Sequence, residues 1–90
     1  MKEGAFRDRV LKIVREIPVG KTKTYQEVAA VAGNPRAARA VGTILHRIWQ
    51  TDHGKTIPCH RVVRSDGSLG EYAAGTAEKR RRLKEEKAIE

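Results

Sequence analysis

Aromatic residues are scarce in this sequence. Phe6, Tyr25, Trp49 and Tyr72 are the whole set in 90 positions. A core must therefore come from Val, Ile, Leu and Ala, and a chain of this length suits one compact domain. Cysteine is scarcer still. Cys59 stands alone, which excludes an internal disulfide and makes a reducing compartment the default expectation: cytoplasmic, or nuclear in a eukaryote. No apolar run approaches the ~20 residues that span a membrane, so no membrane partner is expected. No N-terminal stretch resembles a signal peptide, and internal repeats and low-complexity linkers are missing. Positive charge, by contrast, is in surplus: 19 Lys and Arg against 11 Asp and Glu, a formal charge of +8. On so small a domain that points to a polyanionic partner, usually nucleic acid, although a merely soluble basic protein has the same count.

Periodicity gives the elements. In "AFRDRVLKIVREI", Phe6, Val10, Ile13, Val14 and Ile17 share one helical face, with Arg7, Lys12 and Arg15 away from it. "PVGK", Pro18 to Lys21, ends that helix. Thr24 and Glu27 have capping-box spacing, so a second helix is predicted from Tyr25, closed by Gly33 in the left-handed conformation. A third is predicted to restart at once, with Asn34 as N-cap and Pro35 as first helical residue. Its apolar stripe is Ala37, Val41, Ile44, Leu45 and Ile48. Arg36, Arg39, Thr43 and Arg47 fall on another face. Two short helices and a tight turn, the second helix carrying arginines, read as a helix-turn-helix, or else as an ordinary hairpin of helices with solvated arginines. "WQTDHGKT" is a polar loop. "IPCHRVVRSDGSLGEY" reads as a β-hairpin turning at Ser65-Asp66-Gly67, a wing after the helix-turn-helix. "TAEKRRRLKEEKAIE" favours helix by propensity. With Ala77, Leu83 and Ala88 its main apolar residues, it is expected on the surface with a fraying last turn. The fold class is thus mainly α with a small β-hairpin, a winged helix-turn-helix DNA-binding domain over residues 1–90.

Cys59 admits three readings. A lone cysteine is often a buried filler. A metal site from His46, His53, Cys59 and His60 matches no familiar zinc spacing. The third is a nucleophile. A free thiol titrates near ~8.5 and needs a base or cations to become a thiolate. His60 is an available base, and a carboxylate elsewhere could orient it. Pro58 suggests a turn here, so the contact between the two could run through a water.

"IPCHRVV" resembles the active-site motif of the DNA repair alkyltransferases that act on 6-O-alkylguanine, the 6-O-methylguanine-DNA methyltransferase family. "PVGKTKTYQEVAAVAGNPRAARAVG" resembles that family's helix-turn-helix segment, and "RVVRSDGSLGEYAAG" resembles the stretch after its cysteine. The resemblance covers nearly the whole chain and implies the DNA-binding and active-site domain alone, without the N-terminal domain such proteins usually carry. It also implies a mechanism: a monomer binds double-stranded DNA containing alkylated guanine by the minor groove, flips the damaged base out of the stack, and takes the alkyl group irreversibly on cysteine, with no cofactor or metal. An atom buried in a duplex cannot be attacked in place.

Matched residue by residue, Cys59 is the alkyl acceptor, His60 the histidine that activates it through water, and Glu86 the glutamate that completes the relay. Tyr25 is the tyrosine that promotes flipping, and Arg39 the arginine that replaces the flipped base. Gly70 and Tyr72 line the guanine pocket, with Val62 and Val63 as its backbone contacts. The sequence departs from the family's pattern in two places. "WQTDHGKT" replaces a loop with Asn-Pro, whose asparagine braces the two halves of the site, and Glu71 stands beside Tyr72 where a neutral residue is common. Three functions are then open: a minimal alkyltransferase; a lesion-binding protein similar to the alkyltransferase-like group, which recruits other repair factors without chemistry and typically replaces the cysteine; and a winged-helix regulator, which leaves "PCHR" unexplained. The presence of Cys59 favours the first.

Overall fold

The computed structural model describes residues 3–66, 68–70, 72 and 74–89. The described elements are α1 (Glu3–Arg15), β1 (Lys23–Thr24), α2 (Tyr25–Val31), α3 (Ala38–Asp52), a 3-10 turn (Cys59–Arg61), β2 (Val62–Val63) and α4 (Thr76–Glu85). The fold is mainly helical with a small two-stranded sheet, a winged helix-turn-helix built on α2 and α3. Val10, Leu11, Val14 and Ile17 from α1 and its exit pack against Val28, Ala29 and Ala32 of α2 and Val41 and Leu45 of α3. Phe6 and Ile13 pad the edge of this cluster. Each buried valine or leucine here contributes about 1.5–3 kcal/mol.

The α2 capping box forms as its spacing predicts. The Thr24 hydroxyl accepts from the Glu27 N–H at 3.0 Å, and the Glu27 carboxylate accepts from the Thr24 N–H at 3.0 Å. Gly33, at φ 107°, closes the helix. The Asn34 N–H returns to the Ala29 carbonyl and the Gly33 N–H to the Ala30 carbonyl, a Schellman motif. That closure explains why α3 starts later than Asn34-Pro35 suggested. The Asn34 side chain accepts from the Arg36 N–H at 3.2 Å and its carbonyl from the Ala37 N–H at 3.0 Å. Residues 34–37 are spent on a turn, and Ala37 becomes the N-cap.

The strand region also differs in detail. A turn forms after β2, closed by the Arg64 N–H on the Ser68 carbonyl at 3.1 Å; Gly67, Glu71 and Ala73 lie outside the described residues. The pairing described for β2 is a parallel one with β1, Lys23 opposite Val62 and Thr24 opposite Val63. It ties the start of α2 to the segment after Cys59, so Tyr25 and Cys59 are held in one body. Helix α4 is less superficial than its composition suggested. Leu83 and Lys79 are wholly buried, while Ala77 is exposed. After it the chain is closed by hydrogen bonds: the Ala88 N–H bonds the Leu83 carbonyl and the Lys87 N–H the Lys84 carbonyl, with Lys87 at φ 60°. Among the described residues, no helix is long and apolar enough to cross a membrane.

Candidate active site and nucleic-acid interface

Pro58 sets the position of the cysteine. Its ring fixes φ, and at φ −77°, ψ 68° it is the centre of an inverse γ-turn. The Cys59 N–H donates to the Ile57 carbonyl at 2.8 Å across that turn, and the Arg61 N–H returns to the Pro58 carbonyl at 3.0 Å. Cys59 is buried among core residues, yet it opens onto a groove of about 1090 Å³ whose wall includes Tyr25, Arg39, Thr43, Arg47, Trp49 and Tyr72. Its thiol donates to the Leu45 carbonyl at 3.8 Å. Burial, then the negative charge of Asp52, push this thiol up to about 11, against the pull of Lys79 and Arg82. At neutral pH the thiol is therefore protonated, and the sulfur needs a base to react.

His60 and Glu86 meet. The His60 Nε2 lies 2.9 Å from the Glu86 Oε2. Arg61 clamps the same carboxylate from two sides, Nε to Oε1 at 2.9 Å and Nη2 to Oε2 at 2.7 Å, and its Nη1 donates to the Ile17 carbonyl at 2.8 Å. Hydrogen bonds from Arg61, opposed by partial burial and reinforced by His60, hold the Glu86 carboxyl down at about 2. An ionised carboxylate only accepts, so Nε2 carries the imidazole proton and Nδ1 is left as the lone pair. Burial lowers the His60 pKa, outweighing the attraction of Glu86, so the ring is neutral at pH 7. Nδ1 is buried with no hydrogen-bond partner among the described residues. The triple contact gives a neutral, oriented base in the residue next to the sulfur.

Helix α3 supplies much of the groove's lining. Arg39, Thr43 and Arg47 recur every fourth residue on its exposed face and line the groove with Tyr25. Arg36 is exposed in the turn before α3 and is not part of the wall. Tyr72 lines the groove, its hydroxyl accepting from the Trp49 Nε1 at 3.3 Å, with the Arg82 guanidinium 5.6 Å from its ring centre. Of the expected pocket residues only Tyr72 lines the groove; Val62, Val63 and Gly70 are not among its lining residues. Gly70, at φ +79°, packs under Tyr25, where a Cβ would come within 3.2 Å of the ring. Val62 is wholly buried, and its carbonyl accepts from the Lys79 Nζ at 2.6 Å. Among the described residues no cluster of three or more His, Cys, Asp or Glu could hold a metal ion.

Lys79, Arg61 and Asp52 escaped the sequence reading. Lys79 also reaches the Tyr25 hydroxyl at 3.4 Å, and burial lowers it to about 8. Its one sequence signal is weak: it lies one helical turn before Leu83, on the only apolar side of a polar helix. Nothing local marks Arg61 as the clamp of a glutamate from the far end of the chain.

A family model described as "6-O-methylguanine DNA methyltransferase, DNA binding domain" matches residues 5–88. The chain belongs to this family. It is 45% identical over 75 residues to the methylated-DNA–protein-cysteine methyltransferase of Mus musculus, a match covering 82% of this chain and 34% of that protein. It is 48% identical over 68 residues to a DNA base-flipping protein of Escherichia coli K12, covering 76% of this chain and 50% of that one. The chain thus spans a half or less of these relatives. Its fold superimposes on S. pombe Atl1, crystallised with damaged DNA containing O6-carboxymethylguanine, with a TM-score of 0.82 and 36% identity, covering 96% of this chain and 79% of that chain.

Proposed function

We propose that this member of the methyltransferase family repairs alkylated DNA by taking the alkyl group of 6-O-alkylguanine onto Cys59. One observation carries the proposal: a buried cysteine opens onto the groove lined by Arg39, Thr43 and Arg47, beside a histidine whose Nε2 is hydrogen-bonded to Glu86 and whose Nδ1 has no partner among the described residues. In this reading residues 1–90 act as one DNA-binding and active-site domain. Helices α2 and α3 dock on the minor groove, with Arg36, Thr43 and Arg47 meeting the backbone. Tyr25 crowds the phosphate, Arg39 enters the stack, and the extruded base sits against Tyr72 and Gly70, with backbone contacts from Val62 and Val63. His60 Nδ1 receives the thiol proton, directly or through water, while Glu86 steadies the imidazolium. The sulfur bonds the alkyl carbon as the carbon–O6 bond breaks. That electron pair stays on guanine, which takes the proton back and is restored. The thioether is a poor leaving group, so the reaction happens once per chain.

The likeness to the base-flipping protein and to Atl1 supports a second reading: lesion binding without transfer, with repair left to other factors. Intact mass of the protein after incubation with an equimolar 6-O-methylguanine duplex separates the two. The proposal expects the mass of one methyl group to be added. Saturated lesion binding with unchanged mass supports the second reading instead.

A further inference from the structure

Leu45 and Asp52 lie about two helical turns apart on α3 and so project from one side of it. Each holds one end of the segment that carries the sulfur. The Leu45 carbonyl takes the Cys59 thiol at 3.8 Å. The Asp52 carboxylate takes the Thr56 N–H at 3.0 Å, the Ile57 N–H at 2.9 Å and the Thr56 hydroxyl. Ile57 is buried and stands two residues before Cys59, with the Pro58 γ-turn between them. That turn has one soft dihedral fewer than any other sequence would allow, so displacement of Ile57 is passed to the sulfur. Helix α3 ends right after Asp52, with His53 at φ 54° and Gly54 at φ 74° folding the chain back toward Thr56.

We propose that Asp52 is a positioning residue for Cys59: its carboxylate fastens the loop leading into the cysteine to the same helix face that holds the sulfur. This rests on the reading of Cys59 as the alkyl acceptor. The family's Asn-Pro pair is missing from "WQTDHGKT", whose first four residues extend α3 rather than forming the expected loop, and Asp52 at the helix end holds the segment before the cysteine. The brace has an electrostatic side effect. Partial burial opposes ionisation of Asp52, but the bonds from Thr56, Ile57 and Lys55 outweigh it and hold the carboxyl below its ordinary range. Its charge then opposes a thiolate at Cys59, whereas Lys79 and Arg82 of α4 favour one. Tyr72 also lies within electrostatic reach of the sulfur.

Asp52→Asn and Asp52→Ala separate brace from charge. Asparagine keeps an oxygen for the Ile57 N–H and loses the charge; alanine loses both. Three quantities are read on the whole chain: the pH midpoint of Cys59 alkylation by iodoacetamide, exchange of the Thr56 and Ile57 amides, and the rate of methyl transfer from a 6-O-methylguanine duplex. Both variants should lower the alkylation midpoint, by about half a pH unit or more. In alanine, amide exchange should rise and transfer should fall about tenfold to a hundredfold, the scale of a sulfur misplaced by about 1 Å. In asparagine, transfer should stay within about threefold of wild type, a rescue that a purely electrostatic role does not give. The proposal is overturned if alanine transfers at the wild-type rate, if asparagine loses as much as alanine, or if neither midpoint nor exchange moves. Should alanine not fold, the asparagine midpoint and its retained amide protection decide. A wild type that binds the lesion and never takes the methyl group sinks the functional reading alone, because iodoacetamide and amide exchange still test the brace.

Discussion

Two regions of the molecule, α4 with the residues it holds and α3 with the turn before it, treat charge in opposite ways. Around α4, charges are answered within the protein: Glu86 by Arg61 and His60, Arg81 by Glu78 and Glu85, Arg82 by Glu78 at 3.7 Å, and Lys79 by the Val62 carbonyl. On α3 and the turn before it, Arg36, Arg39 and Arg47 are exposed, and no ion pair among the described residues includes them. The net charge of +8 therefore says less than its distribution. Arg61, clamped on Glu86, fixes that carboxylate against His60. Arginines left in water break no internal ion pair in turning toward phosphates, and they gain by releasing counterions. On the proposed function the α4 region holds a base and a thiol in register and the α3 region meets a polyanion, and substitutions should separate the two.

The largest separation should come from the sulfur itself. Cys59→Ser should abolish transfer while leaving affinity for a lesion duplex within about twofold, since affinity resides across the groove. Matched losses of binding and transfer would merge the two regions into one. Next is Glu86→Gln. An amide can offer an N–H to His60 Nε2 and turn the ring into the wrong tautomer, so transfer should slow by about a hundredfold or more with little change in DNA affinity. The same variant has a stability signature. Glu86 is held near 2 from an ordinary value of 4.5, so its stabilisation is fully present above the ordinary value and is lost as pH falls toward 2. Thermal melts should show the glutamine chain several degrees lower at pH 7, about 1 kcal/mol being worth about 4–8 °C in so small a domain, with the gap closing on acidification. A gap independent of pH would make Glu86 a packing residue rather than a paired charge.

Smaller effects belong to the α3 region. Arg39→Ala should weaken capture of a base from duplex by about tenfold and from a flexible single strand by much less, because unstacking a duplex step costs a few kcal/mol that the strand does not face. Equal losses on both substrates would reduce Arg39 to a phosphate contact. Arg47→Ala should do least: the slope of log affinity against log salt should become shallower by about 0.9, the share of one phosphate, with transfer unchanged at saturating DNA. A slope that does not move would take Arg47 out of the interface.

Local chemistry made one region legible in the sequence and left the other partly hidden. The capping box of Thr24 and Glu27, Gly33 as closing residue and the arginine spacing on α3 all arise from contacts within a few residues, and the structure contains each of them. The start of α3 was not legible, because the Schellman closure of α2 consumed Asn34 before it could cap the next helix. The strands were not legible either: β1 is two residues long and pairs with a partner far along the chain, where no alternation can build up. Cys59 and His60 drew attention as a Cys-His pair, but Glu86 came from the resemblance alone. No local pattern announces that Arg61 and His60 meet a carboxylate at the other end of the chain, or that a lysine in a polar helix is buried. Asp52 was invisible for the same reason, since its meaning depends on where the loop after it returns.

The central claim is that one sulfur takes one alkyl group from a lesion held in this groove. It is tested most directly by titrating the protein into excess 6-O-methylguanine duplex and counting, by peptide mass, the methyl groups on Cys59 against the guanines restored. The account predicts a plateau at one methyl group per chain, all of it on Cys59, with one lesion repaired for each. A lesion that stays bound and unrepaired at every protein concentration, with Cys59 unmodified, would contradict it.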